Sequence, residues 1–221
     1  MKKVTQSLFL VILLMFSGAL AAQNFSRAID QQLNHFVEQN DLLPQDAQWQ
    51  VTSETFSKKS GIQHIYFRQT LDGIEIYGTE SSIHLTSNGK VVSKDSKFVK
   101  NTAQKRTGSN APALTAVQAV QAAAAHFNYS ITDSFSVLER ASGVDRKTLL
   151  SDGGISLSPI PAKLMYAITD NDGLVLTWDI SIQEKSQQDW WSLRIDANTG
   201  AIVNQANWMV SCATHHDHSN D

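Results

Sequence analysis

Two dipeptides constrain this chain more than any other feature. Asp72-Gly73 and Asn88-Gly89 each stand between runs in which apolar and polar residues alternate. Such pairs take positive φ at little cost and close tight hairpins, so the stretch around them is committed to antiparallel sheet. Before the first turn, Trp49, Val51 and Ser53 alternate with other residues, and Ile62 to Arg68 is rich in β-branched and aromatic side chains. Ile74-Glu75-Ile76-Tyr77 returns from the turn, Ser82-Ile83-His84-Leu85-Thr86 alternates cleanly, and Val91 to Val99 follows. The pattern predicts a meander. It is preceded by a helix, because Ile29, Leu33, Phe36 and Val37 form one apolar stripe at helical spacing. Ser26 is the expected N-cap, and Asn40-Asp41 with Pro44 ends the element.

The same plan recurs further on. Lys100 to Ala113 has almost no apolar content and carries Gly108, Ser109, Asn110 and Pro112, which reads as a linker or exposed loop. Thr115-x-x-Gln118 then matches a capping box, and Val117, Val120, Ala124 and Phe127 follow at helical spacing. Strands are expected at about 134–138, 163–169, 174–182, 190–195 and 201–208, with turns at Asp170 to Gly173 and Asp196 to Gly200. Ser142 to Pro161, with Gly153-Gly154, Pro159 and Pro161, reads as a long loop. Two consecutive helix-plus-antiparallel-sheet units make an α+β fold.

The N-terminus has the form of a secretory signal. Lys2 and Lys3 precede the apolar run Leu8 to Phe16, and Ala19-Leu20-Ala21 supplies the small residues of a cleavage site between Ala21 and Ala22. Nine consecutive apolar residues fall well short of the ~20 that span a bilayer, so a stable membrane anchor is not expected. Losing Lys2 and Lys3 takes the formal charge from −3 to −5, and no basic patch invites nucleic acid. The lone cysteine, Cys212, excludes a disulfide within the chain. It reads equally as an unpaired thiol near a terminus or as half of a bridge to another segment.

No constellation of catalytic residues is evident. His-Glu-x-x-His, Gly-x-Ser-x-Gly, a phosphate-cradling glycine loop and Cys-x-x-Cys are all absent from the sequence. His35, His64, His84 and His126 stand singly, and the alternation turns His84 away from Ile83 and Leu85, toward solvent. Isolated histidines rarely make a site without convergent partners. His215, His216, Asp217 and His218 form one dense cluster that can capture a stray cation. Their polar surroundings read better as a flexible connecting segment. Of the five tryptophans, Trp190 and Trp191 are adjacent on an expected strand and so face opposite sides. One of them is a candidate for a partner-facing surface.

Two stretches carry a family likeness. His64-Ile-Tyr-Phe-Arg-Gln-Thr-Leu-Asp-Gly-Ile-Glu-Ile-Tyr-Gly followed by Ser82-Ile-His-Leu-Thr-Ser-Asn-Gly-Lys-Val-Val-Ser resembles the fungalysin/thermolysin propeptide domain. Trp191-Ser-Leu-Arg-Ile-Asp-Ala-Asn-Thr-Gly-Ala-Ile-Val resembles the closing hairpin of a PepSY domain, and the helix from Leu114 fits that domain's opening. The resemblance implies a cystatin-like or PepSY-like pair of units. Its divisions are a signal peptide over 1–21, a propeptide domain over 22–100, a linker over 101–113, a PepSY-like domain over 114–210 and a tail or tether over 211–221. It implies the prosegment of a secreted zinc metalloendopeptidase, acting as intramolecular chaperone and inhibitor of a catalytic domain that would begin about where these residues stop. On that reading the segment carries no catalytic residue, cofactor-binding residue or metal ligand of its own, and zinc belongs to the catalytic domain. The expected partner is that domain, in cis or in trans. A stand-alone secreted inhibitor or protein-binding module is the alternative.

Overall fold

The computed structural model describes residues 27–31, 33–35, 38 and 42–209. The signal segment with Ala21 and Ala22, Ser26, Phe36, Val37, Asn40, Asp41, Cys212 and the His215/His216/His218 cluster lie outside them. The chain divides into two compact units, residues 1–106 and 107–221. Helices and antiparallel sheets fill both, so the class is α+β.

In the first unit, helix α1 is described over 27–31, 33–35 and 38. A 3-10 turn at Pro44–Ala47 follows, then strands β1 (Trp49–Ser57), β2 (Ile62–Leu71), β3 (Ile74–Glu75), β4 (Ser81–Thr86) and β5 (Val91–Asp95). Their order is β1-β2-β4-β5, with β3 paired to β2. Period-two alternation sends Ile65, Phe67, Ile83 and Leu85 to one face, where they bury against Ile29 and Leu33 of α1 and against Leu42. Fully burying each such side chain contributes about 1.5–3 kcal/mol. Trp49 and Phe98 close the rim edge-on to Phe67, both with ring centres 5.8 Å away, and the Trp49 indole donates to Asp30 at 2.9 Å.

The two turn dipeptides behave differently. Asp72 and Gly73 both take positive φ, 53° and 79°, the two-residue hairpin that their types favour. At Asn88-Gly89 only Gly89 does so, at 80°. Its N–H donates to the Thr86 carbonyl and Thr86 N–H to that of Lys90, which makes a three-residue loop with a bulge at the glycine.

The expected linker over 101–113 is not uniform. Thr102–Lys105 form a short helix, α2, that belongs to the first unit. Its N-cap, Asn101, sits at φ 60° and makes no side-chain cap bond. The buried Asp46 carboxylate supplies the cap from across the unit, accepting from Asn101 N–H (2.7 Å), Thr102 N–H (2.9 Å) and the Thr102 hydroxyl (2.7 Å). Gln69, also buried, bonds the Asp46 carbonyl and both backbone groups of Val99.

In the second unit α3 (Ala116–His126) opens on the capping box read from Thr115 and Gln118. Strands β6 (Val137–Ser142), β7 (Lys147–Leu150), β8 (Ile160–Ile168), β9 (Leu174–Gln183), β10 (Trp190–Asp196) and β11 (Ile202–Asn207) form one antiparallel sheet in the order β11-β10-β9-β8-β7-β6. Ala119, Val120, Ala123 and Ala124 are buried on α3, which contacts β9 and β10; small side chains there let helix and sheet approach closely. Two expectations need correction. The segment 142–161 is not one loop, since β7 lies inside it. Only four residues long, β7 is too short to announce itself by pattern and gains its order from pairing on both sides. The strand expected at 134–138 begins at Val137 instead, because the Ser136 backbone is bonded to Ser151 at the mouth of the hairpin.

Candidate partner-binding site

Strand β10 presents its two tryptophans to opposite sides. Trp191 faces α3: its ring stacks on Phe127 with centres 4.7 Å apart, and its indole N–H donates to the Tyr129 hydroxyl at 3.0 Å. Burial, and then the neighbouring Glu184, push the Tyr129 hydroxyl well above its ordinary range, so it stays a neutral hydrogen-bonding group. Trp190 points the other way. It is 36% exposed, its indole donates to Ser181 at 2.9 Å, and Trp208 meets it edge-on with centres 5.4 Å apart.

The β10–β11 register brings the second aromatic there. Trp208 N–H donates to the Trp190 carbonyl at 2.8 Å, and Asn207 holds the backbone N–H groups of Trp190 and Met209 at 3.1 and 3.0 Å. Trp208 is 53% and Met209 42% exposed, so these three side chains form an apolar patch on a hydrogen-bonded frame. Rigid aromatics around a polar frame are the usual composition of a protein-binding anchor. Counting outward from Asp196 and Ala201 sets Asn207 opposite Trp190; the bulge between Arg194 and Ile195 shifts the register by one and brings Trp208 there instead, which the sequence does not announce.

The second unit also holds a mainly apolar cleft of about 270 Å³. The first turn of α3 and the β6–β7 hairpin line it, with Val117, Val137, Leu150 and Trp178 beside the exposed Arg140 and Arg146.

On the first unit, the sheet face away from α1 is polar. Cross-strand register aligns Thr55, His64, His84 and Ser93 in one row across β1, β2, β4 and β5. The two imidazoles do not stand singly. Their Nδ1 atoms are 2.9 Å apart, the rings meet at 65°, and Tyr66 lies edge-on to His84 with centres 6.1 Å apart. His84 does point away from Ile83 and Leu85, but its neighbour is His64 and it is only part-exposed. Burial and, secondarily, His64 hold the His84 imidazole below its usual pKa. Next to Tyr66 on the same face, Arg68 bridges Glu75 and Glu80, so its charge is already engaged. No group of three or more His, Cys, Asp or Glu stands ready to hold a metal among the described residues. No helix among them is long and apolar enough to cross a membrane.

This geometry sits within a recognisable segment. Residues 47–98, which contain β1 to β5, match the family described as Fungalysin/Thermolysin Propeptide Motif. The chain is 27% identical over 166 residues to extracellular metalloproteinase 1 of Phaeosphaeria nodorum, covering 73% of this chain and 25% of that protein. It is 28% identical over 173 residues to extracellular metalloproteinase mep of Aspergillus flavus, covering 74% and 25%. The chain thus spans about a quarter of the length of these curated relatives. A solved structure, the YpeB C-terminal domain of Bacillus megaterium, aligns with 82% of this chain and 64% of its own at 12% identity and a TM-score of 0.36. That likeness carries no argument. The resemblance to a fungalysin-type propeptide holds in the propeptide motif and in the metalloproteinase relatives alike.

Proposed function

We propose that this chain is the prosegment of a secreted zinc metalloendopeptidase, assisting the folding of its catalytic domain and holding it inactive until the connection is cut. The observation that carries the reading is the propeptide motif over residues 47–98, folded as an antiparallel meander whose apolar face packs on a helix. In this reading residues 1–21 are a signal peptide cleaved before Ala22, 22–100 and 114–210 are the propeptide and PepSY-like domains, and 211–221 is the tether.

A tethered inhibitor acts at an effective concentration on the order of millimolar, so a modest interface blocks the protease before export is complete. The Trp190–Trp208–Met209 patch is our choice for that interface, because its aromatic rings are exposed yet positioned. Cutting the tether removes the concentration advantage and lets the prosegment leave. The segment itself then supplies contacts and no chemistry.

The test is to refold the cognate catalytic domain with and without residues 22–221 in trans. We expect a higher yield with the segment, and peptidase activity that appears only once the segment is degraded. Equal yield and full activity in both reactions would leave the stand-alone binding module as the better account. Residues 22–221 alone are expected to show no casein hydrolysis, with or without zinc.

A further inference from the structure

We infer that His64 and His84 form a binding site for a square-planar divalent transition-metal cation, Cu²⁺ above all, on the open sheet face of the first unit. Three observations carry this. The Nδ1 atoms of the two rings face each other at 2.9 Å, from adjacent strands whose register makes the residues direct partners. Two nitrogens in cis positions of a square plane, with metal–nitrogen bonds of about 2.0 Å, lie about 2.8 Å apart. The paired side chains therefore already hold the two donors at the spacing of a cis pair. Tetrahedral Zn²⁺ needs a wider separation of about 3.3 Å.

The second observation is tautomerism: the facing Nδ1 atoms share a single hydrogen bond, and a cation takes both Nδ1 lone pairs once the proton between them moves to Nε2 of its own ring, with no net proton lost.

The third is access. The row continues into the small side chains Thr55 and Ser93, so the space above the rings is not roofed by a bulky neighbour from either flanking strand. No third His, Cys, Asp or Glu completes a cluster among the described residues. The cation therefore keeps open positions for water or for a donor from another molecule. Imidazole donors in a tetragonal arrangement favour Cu²⁺ over Ni²⁺ and Zn²⁺ by the general order of divalent affinities. The inference stands on side-chain geometry and is independent of the prosegment reading.

The experiment uses the exported chain carrying His215→Ala, His216→Ala and His218→Ala, which removes the competing histidines of the tail. CuCl₂ is titrated at pH 7.4 with calorimetric and electron-paramagnetic-resonance readouts. We expect one Cu²⁺ per chain, a tetragonal signal with two imidazole nitrogens, and affinity falling Cu²⁺ > Ni²⁺ > Zn²⁺. Adding His64→Ala or His84→Ala should each weaken binding by about tenfold or more. Because either change can disturb the sheet, His64→Gln and His84→Gln are measured beside them, with far-ultraviolet circular dichroism as the check of fold. Well-folded glutamine variants that retain full affinity, or a parent spectrum with fewer than two imidazole nitrogens, would overturn the assignment.

Discussion

Asp46 is the residue on which the order of the first unit's C-terminal segment depends. Its buried carboxylate accepts three hydrogen bonds from Asn101 and Thr102, and no side chain local to α2 offers a substitute. Replacing it by alanine strands two backbone N–H groups in a dry site, and each costs about 1–3 kcal/mol. We expect Asp46→Ala to lower stability by roughly 2–4 kcal/mol in urea unfolding. Asp46→Asn keeps one acceptor and should lose less; equal losses would show that the oxygens are not the source. His84 supports a second prediction at this scale, made with metal removed by EDTA. Its neighbours on the shared face are His64 and Tyr66 of β2 and Asp95 of β5, the last in register with Ser82. Its folded pKa lies below the ordinary 6.5, so between the two values the unfolded chain binds more protons and stability rises with pH. Acidification from pH 7 should therefore weaken the fold through this residue, and His84→Gln should flatten that part of the profile. A proton NMR titration placing the His84 midpoint at or above 6.5 would contradict the mechanism.

At the scale of the element, β10 is the informative strand. One residue step turns a tryptophan from the helix-facing side to the exposed side, and the two should respond oppositely to truncation. Trp191→Ala removes the stack on Phe127 and the bond to Tyr129, at about 3 kcal/mol of stability. Trp190→Ala removes a ring that is 36% exposed, and should cost under about 1 kcal/mol. If the patch is the inhibitory anchor, Trp190→Ala should weaken inhibition of the cognate catalytic domain by at least about tenfold while the domain stays folded. Melting curves and inhibition constants of the two variants, measured side by side, check this. Similar effects of both on stability would mean that the strand does not separate the two roles.

For the whole molecule, the proposed export would decide which charges and surfaces a partner meets. On the proposed secreted reading, the n-region, apolar run and Ala19-Leu20-Ala21 site put the expected mature terminus at or within a residue or two of Ala22. Intact mass spectrometry of exported protein should find it there, and a chain still beginning at Met1 would remove the basis for the secreted reading.

The sequence by itself determined the features that depend on near neighbours. The Asp72-Gly73 turn, the capping box at Thr115 and Gln118, the alternation that buries Ile83 and Leu85, and the opposed tryptophans of β10 each follow from backbone preference or side-chain period. The likeness to a propeptide was legible in the same hairpins. Tertiary structure alone decided what depends on register between strands that no single tight turn connects. His64 and His84 belong to β2 and β4, with β3 between them in the chain, so their parity was readable and their pairing was not. Strand β7 was missed because four residues carry too little pattern, and α2 because its cap comes from Asp46, more than fifty residues away. A side chain's period is written locally. Its partner across a sheet is set by the lengths and twists of everything between, and only the folded chain adds those up.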